Sequence, residues 1–208
     1  MFSIHMGQSG LREMEVAAQR MSGGIARAID DAVETEANLL QQTIVDGLEN
    51  QAPGGRTILP LSPMTLVMRR LPSYGNRKQT NSTKALIAGR ELLNGVKSKR
   101  YKAMWYTVGV HREERNTAGM SLEYLATIHE EGTRAYKITV TPRMHAFSIF
   151  LVSQGILKAP WPVGKVITRK IPARPFLAPS YMEWSQEAPD RFQRSIDEFA
   201  RDAQKRSA

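Results

Sequence analysis

Residues 169–179 constrain the fold more strongly than any other stretch of the chain. They read Arg-Lys-Ile-Pro-Ala-Arg-Pro-Phe-Leu-Ala-Pro, with prolines at Pro172, Pro175 and Pro179. Proline has no N–H donor and a fixed φ, so the segment can form neither a continuous helix nor a central strand. The sequence therefore predicts a stiff, extended connection at this point.

This segment also carries apolar side chains and a cation, and two uses for them are compatible. In the first, Phe176 and Leu177 fill the protein's own core and the segment is a rigid strand-to-helix connection. In the second, the segment docks on another surface and the Arg174 guanidinium binds a neighbour's carboxylate or backbone carbonyls. The predicted interface residues are Pro172, Arg174, Pro175, Phe176 and Leu177.

Composition places the chain among ordinary globular proteins. Its 208 residues are 41% hydrophobic and 24% charged, and they include no cysteine. Disulfides, thiolate metal sites and a cysteine nucleophile are therefore excluded. No apolar run approaches the length of a membrane span, and the first ten residues lack the basic-then-apolar order of a secretory signal. We expect no membrane association.

The charge of the chain is unevenly distributed along its length. The net charge at pH 7 is +9. Residues 1–50 hold three basic and eight acidic side chains, whereas residues 51–115 hold thirteen basic and three acidic ones. Two such segments either pair within one chain or make head-to-tail contacts between copies, and the basic one also attracts phosphate backbones. A solvated basic face without a partner is the third alternative.

A long amphipathic helix is predicted in the N-terminal part. Ser9 is a suitable cap, and apolar residues recur at spacings of three and four as far as Leu48. If this helix were unbroken, its roughly 40 residues would span on the order of 60 Å. A compact chain of this length has a diameter of only about 43 Å. Either Gly23-Gly24 breaks the helix, or its first half packs on a neighbouring subunit. The apolar positions are Leu11, Met14, Ala18, Met21, Ile25, Ala28, Ala32, Val33, Ala37, Leu40, Ile44 and Leu48.

The remaining segments predict an α+β fold in a single domain. Helices are expected over 83–98 and 121–131, from Pro142 onward, and over 181–204, where Pro189 kinks or restarts the helix. Strands are expected over 102–110, 136–141 and 163–171, forming a small, mostly antiparallel sheet. A short helix from Ser62-Pro63 to Met68 interrupts an otherwise irregular loop. The predicted division is a helical arm over 1–48, a long loop over 50–82, an α+β core over 83–180 and a C-terminal amphipathic helix over 181–208.

Catalytic chemistry is not indicated. The four histidines lie far apart in sequence, and none has a second ligand at metal spacing. The carboxylate pairs Asp30-Asp31, Glu113-Glu114 and Glu130-Glu131 are adjacent, so their side chains point apart. We therefore predict no enzyme, no cofactor and no metal site. A nuclease-like enzyme with carboxylates assembled from separate elements is kept as a third hypothesis.

An alternative function is sequence-independent binding of nucleic acid through residues 69–102. Basic side chains in this region alternate with aromatic ones, a combination that binds single strands by charge and stacking. No helix-turn-helix or RNA-recognition aromatic signature is present. The basic side chains predicted to face DNA or to pair subunits are Arg69, Arg70, Lys97, Lys99, Arg100 and Lys102.

Three sequence blocks follow one another in a distinctive order. They are Leu-Ser-Pro-Met-Thr-Leu (61–66), Lys-Ala-Leu-Ile-Ala-Gly-Arg-Glu-Leu-Leu-Asn-Gly-Val (84–96), and the pair formed by Ala-Thr-Ile-His-Glu-Glu-Gly (126–132) with Ile-Pro-Ala-Arg-Pro-Phe-Leu (171–177). In these blocks, and most specifically in the last pair, the chain resembles the virion-morphogenesis and tail-completion proteins of tailed bacteriophages. It departs from them in the long N-terminal helix and in an insert over 153–164.

The resemblance implies a non-enzymatic subunit made in the host cytoplasm and built into the virion, at the neck or the tail end. Such a subunit forms a homo-oligomeric ring, six- or twelve-fold, and contacts other neck or tail proteins. A ring closes through two different patches on each subunit. The acidic N-terminal helix and the basic middle segment are candidates for these patches, and cations of residues 97–102 would then face DNA passing through the lumen.

Overall fold

Two long helices form the frame of the molecule. The computed structural model describes residues 2–3, 23–71, 82–87 and 90–207. Helix α1, Gly23–Glu49, packs along the C-terminal helix α6, Leu177–Ser207. The buried face of α1 follows the predicted apolar stripe, since Ala32, Ala37, Leu40, Ile44 and Leu48 are all buried. The first half of the predicted helix, including Ser9, lies outside the described residues.

A polar clamp joins the two long helices inside this contact. The Glu36 carboxylate of α1 is buried and accepts hydrogen bonds from the Trp184 indole at 3.0 Å and from the Arg191 guanidinium at 2.9 and 3.0 Å. The hydrogen bond to Glu36 raises the pKa of Arg191. Helix α6 runs on through Pro189 as one element, so the predicted restart at this proline is wrong.

Replacing Glu36 with glutamine should lower the free energy of unfolding by about 1–2 kcal/mol, because a neutral amide accepts weaker hydrogen bonds than a carboxylate. The matched control is Glu187→Gln. Glu187 binds the same guanidinium at 3.1 Å, but its side chain is 78% exposed, and an exposed pair contributes between about 0 and 1 kcal/mol. Urea unfolding followed by circular dichroism measures both. Equal losses in the two variants would contradict the clamp.

A three-stranded antiparallel sheet packs against α1. Its strands are β1 (Phe2–Ser3), β2 (Val96–Lys102) and β3 (Trp105–Val110), with β3 in the centre. On the outer edge of β2, the Gln41 side chain donates to the Val96 carbonyl at 3.2 Å and accepts from the Ser98 N–H at 2.9 Å. The amide of Gln41 therefore occupies backbone groups that another strand would pair with.

The helix predicted over 83–98 is wrong for most of its length. Among the described residues of this range, only α3, Glu91–Asn94, is helical, and the chain then turns at Gly95 into β2. Pairing of β2 with β3 buries Val96 opposite Val110 and overrides the local helical periodicity. The basic cluster 97–102 consequently lies on an edge strand and not at a helix C-terminus. The strand predicted over 102–110 is confirmed for Trp105–Val110, which form β3, whereas Lys102 belongs to β2.

Shorter elements follow local signals closely. Helix α2 is Pro63–Arg70, with the Ser62 hydroxyl accepting from the Thr65 N–H, and it confirms the short helix inside the loop. Helix α4 is Leu122–Glu131, capped by Ser121 and ended by Gly132, whose φ is 75°. Helix α5 is Pro142–Ser153 and begins after the Thr141 cap.

A small lobe over residues 136–169 stands beside the main core. It contains α5 and an antiparallel pair of strands, β4 (Tyr136–Thr139) and β5 (Val166–Arg169). Val140 and Leu151 are buried inside it and do not belong to the main apolar cluster. That cluster is formed by side chains from α1, the β2–β3 pair, α3, α4 and the start of α6. The architecture confirms the predicted α+β class, and none of the helices in the described parts of the chain is long and apolar enough to cross a membrane.

Candidate functional site

The two halves of the most specific sequence block meet in one structural joint. The Glu130 carboxylate of α4 accepts hydrogen bonds from the N–H groups of Phe176, Leu177 and Ala178 at 2.9, 3.2 and 2.8 Å. These donors are the first free N–H groups of α6, where a negative charge also meets the positive end of the helix dipole. Glu130 therefore caps α6 from another helix. Its neighbour Glu131 is exposed, so the prediction that adjacent carboxylates point apart is confirmed for this pair. It is wrong for Glu113 and Glu114, which both contact the Lys99 ammonium.

Backbone contacts complete the joint on its other side. The Arg174 N–H donates to the His129 carbonyl at 2.6 Å, and the Thr133 N–H donates to the Ile171 carbonyl at 3.0 Å. Gly132 lies so close to this segment that a Cβ there would be 2.8 Å from the backbone nitrogen of Ala173. Glycine is thus required at 132 both by its positive φ and by the approach of residues 171–173. We call these contacts, between 129–133 and 171–178, the joint.

At the joint, most of the predicted interface residues make their contacts within their own chain. Phe176 is fully buried and Leu177 is 5% exposed, so the core-sealing use of these residues is confirmed. The Arg174 guanidinium is also buried and donates to the carbonyls of Leu59 and Pro60 at 2.8 and 3.0 Å. The carbonyls that this side chain was expected to bind on a neighbour belong to the same chain. The exposed members of the set are Pro172 and Pro175, and an interface role for the segment stays a prediction.

An open groove of about 990 Å³ lies between α2, α4, the joint and the lobe. Its walls are mainly apolar, and its volume is at the upper end of the range of about 300–1,000 Å³ typical of ligand clefts. Four cations line it, together with one carboxylate, Glu91, which accepts from the N–H and hydroxyl of Thr117. No ion pair with a carboxylate of the described residues involves these cations. They are Arg69, Arg169, Lys170 and Arg174.

The wall of the groove near the joint is electropositive and partly buried. Burial and the neighbouring Arg174 charge lower the pKa of Arg69, and burial lowers that of Arg174. The Nδ1 atom of His129 is buried here, and no hydrogen-bond partner for it is found among the described residues. Burial, and then the charges of Arg174 and Arg69, lower the pKa of His129 to about 4. The arrangement can accept a negatively charged group.

Acidification should destabilise the protein through His129. Its pKa is about 4 in the folded chain against an ordinary value near 6.5 when unfolded, so the unfolded chain binds more protons between these values. The free energy of unfolding should therefore fall as pH decreases from about 6.5 to 4. Urea unfolding at several pH values would measure this, with His129→Gln as the comparison. A variant as sensitive to pH as the parent chain would contradict the assignment.

The predicted basic patch is divided between two elements. Arg69 and Arg70 lie at the end of α2, with Arg69 donating to the carbonyls of Ser82 and Lys84 at 3.0 and 2.7 Å. The other four cations lie on β2 and have partners: Lys97 with Glu114 at 2.7 Å, Lys99 with Glu113, Arg100 with Asp30, and Lys102 at 4.7 Å from the centre of the Trp105 ring.

Pairing between the acidic N-terminal segment and the basic middle segment occurs within one chain. Besides Arg100 with Asp30, it includes Arg90 with Glu49 at 2.6 Å. Of the three alternatives for the charge distribution, pairing within one chain is therefore confirmed for these pairs. For the same residues to pair head-to-tail between copies, these ion pairs within one chain would have to break and re-form with residues of the other copy.

Sequence reasoning did not identify Glu130 as a cap or His129 and Arg69 as neighbours. The sequence feature that could have pointed to them is the His-Glu-Glu-Gly pattern. The resemblance paired this pattern with 171–177 but gave no physical reason for the pairing.

Among the described residues, no group of three or more histidines and carboxylates is placed to hold a metal ion. No protein-family model, no curated protein and no solved structure matches the chain.

Proposed function

We propose that the chain is a structural subunit of a tailed-bacteriophage virion, a ring-forming component of the neck or of tail completion. The observation that carries the proposal is the joint. Residues 126–132 and 171–177, which hold the most specific part of the resemblance, contact each other directly and fix α4, α6 and the connection between them. Because the residues of this pattern hold structural elements in place, they favour a structural subunit over an enzyme.

The surface of the lobe and of α4 supports the same function. Several large apolar side chains are exposed there. Exposed apolar side chains that lie together often mark a contact with another protein. Each of these side chains is available for contacts with copies or with other virion proteins. They are Tyr124 (60% exposed), Tyr136 (44%), Ile149 (51%), Val163 (54%) and Val166 (55%).

Mass photometry and negative-stain microscopy of the purified chain test the proposal. We expect closed rings of six or twelve subunits, each subunit contributing 23.3 kDa. Replacing Ile149 and Val166 with aspartate should reduce assembly, because it charges an exposed apolar face without touching the buried core. The same substitutions at Asn38 and Gln42, exposed polar positions of α1 outside the lobe, are the control. A monomer at every concentration, absent from purified particles, would overturn the proposal.

The nucleic-acid alternative receives less support from the geometry. Three of the six predicted cations are paired with carboxylates and a fourth lies over an indole ring, so little unpaired positive charge remains on β2. A filter-binding assay with single- and double-stranded DNA decides between the two functions. Tight, salt-sensitive binding by a monomeric chain would replace the structural proposal with this one.

A further inference from the structure

We infer that the groove between α2, α4 and the lobe binds the outer face of α6 from a second copy of the chain, around Met182. The inference rests on the proposed function, because it assumes that copies assemble. It goes further by naming both surfaces of one contact. The two surfaces are different, so the contact is head-to-tail and closes a ring when the rotation between copies permits.

The groove determines what kind of occupant it can take. Arg69, Arg169, Lys170 and Arg174 line walls that are otherwise mainly apolar. Arg169 is held in position, since its guanidinium lies 4.9 Å from the centre of the Trp161 ring. Apolar side chains at the rim, Met68 and Tyr136, are 51% and 44% exposed. An occupant must therefore combine carboxylates with an exposed apolar side chain.

The outer face of α6 has this combination. Residues 181–190 contain three acidic side chains and no basic one. Met182, a large apolar side chain, is 57% exposed on this face. Glu183, Glu187 and Asp190 lie three or four residues apart, so they form one acidic row beside Met182.

The row is also available for an external partner. Glu187 is engaged by Arg191 of the same helix, at 3.1 Å. By contrast, the carboxylates of Glu183 and Asp190 are exposed, and no ion pair connects either of them to a described residue. Two unpaired carboxylates on α6 thus match the cations of the groove, none of which has a carboxylate partner among the described residues.

Charge reversal on each surface tests the contact. The first variant is Arg169→Glu with Lys170→Glu, which leaves the joint intact. The second is Glu183→Lys with Asp190→Lys on the exposed face of α6. We expect each to raise the dissociation constant of the assembly by about tenfold or more, because like charges then face each other. A chain carrying all four substitutions should regain assembly. Affinity of the parent assembly should fall as sodium chloride is raised.

Matched controls separate a specific contact from a change in net charge. Arg27→Glu with Arg112→Glu changes exposed cations outside the lobe and the groove, and Asp31→Lys with Asp46→Lys changes exposed carboxylates of α1. Both should assemble like the parent chain. Thermal unfolding by circular dichroism verifies that every variant is folded. Should the groove variant fail this check, the α6 variant alone still tests the contact, since its positions are exposed.

The outcomes distinguish this inference from the proposed function. If the parent chain forms rings and the α6 variant does too, the inference is overturned and the ring proposal stands. If only the groove variant loses assembly, α6 is not the occupant and the inference is equally overturned. If the groove variant loses affinity for an oligonucleotide and keeps its assembly, the groove binds nucleic acid instead. A parent chain that never assembles overturns the proposed function itself.

Discussion

Replacing Phe176 with alanine should lower the free energy of unfolding by about 3–5 kcal/mol. The ring is fully buried in the main cluster, together with Leu40 and Leu48 of α1 and Val96 and Val108 of the sheet. Truncation removes apolar surface and leaves a cavity that the two helices and the sheet cannot fill without moving. Urea unfolding followed by circular dichroism measures the loss.

The size of the effect at Phe176 distinguishes a core residue from a docking residue. Phe176→Leu, which keeps most of the apolar volume, should cost markedly less than the alanine variant. A loss below about 1 kcal/mol for Phe176→Ala would be the value expected of a surface position. That result would mean that the ring serves contacts with another subunit rather than the core.

Replacing Glu130 with alanine should cost about 3–4 kcal/mol. Three N–H groups at the start of α6 lose a charged acceptor, and hydrogen bonds to charged groups contribute about 1.5–3 kcal/mol each, less where water can replace them. The favourable interaction of the carboxylate with the helix dipole, about 0.3–1 kcal/mol, disappears as well. Urea unfolding gives the change, and amide hydrogen exchange at 176–178 should accelerate.

Neighbouring substitutions provide the comparison for Glu130. Glu131→Ala removes an exposed carboxylate one residue away and should alter stability by no more than about 0.5 kcal/mol. Glu130→Gln keeps one acceptor oxygen and should fall between the two. If the alanine variants at 130 and 131 unfold at the same denaturant concentration, the carboxylate does not hold the start of α6.

Elements with local signals could be predicted from the sequence. The cap at Ser121 and the terminator at Gly132 bound α4, and Thr141-Pro142 begins α5, because capping and proline effects act within one helical turn. The apolar stripe of α1 was equally informative from Ala32 to Leu48. In these elements local preference and tertiary packing agree.

Features that depend on distant residues could not be predicted. The segment 83–98 has helical periodicity, yet only Glu91–Asn94 is helical among its described residues, and residues 96–98 pair with β3. Strand pairing outweighs local propensity where it buries Val96. The joint links Glu130 with backbone groups 46 to 48 residues later, a distance over which sequence patterns carry no geometric information. The groove has the same origin, since α2, α4 and the lobe converge only in the folded chain.

The amide of Gln41 has a consequence for how copies can and cannot join. An unpaired edge strand can pair with the edge strand of another molecule, and repeated pairing of this kind builds amyloid-like fibres. Because Gln41 binds the Val96 carbonyl and the Ser98 N–H, a strand of another molecule cannot pair with these two groups at the start of β2. The closed ring proposed above would then face less competition from open-ended polymers.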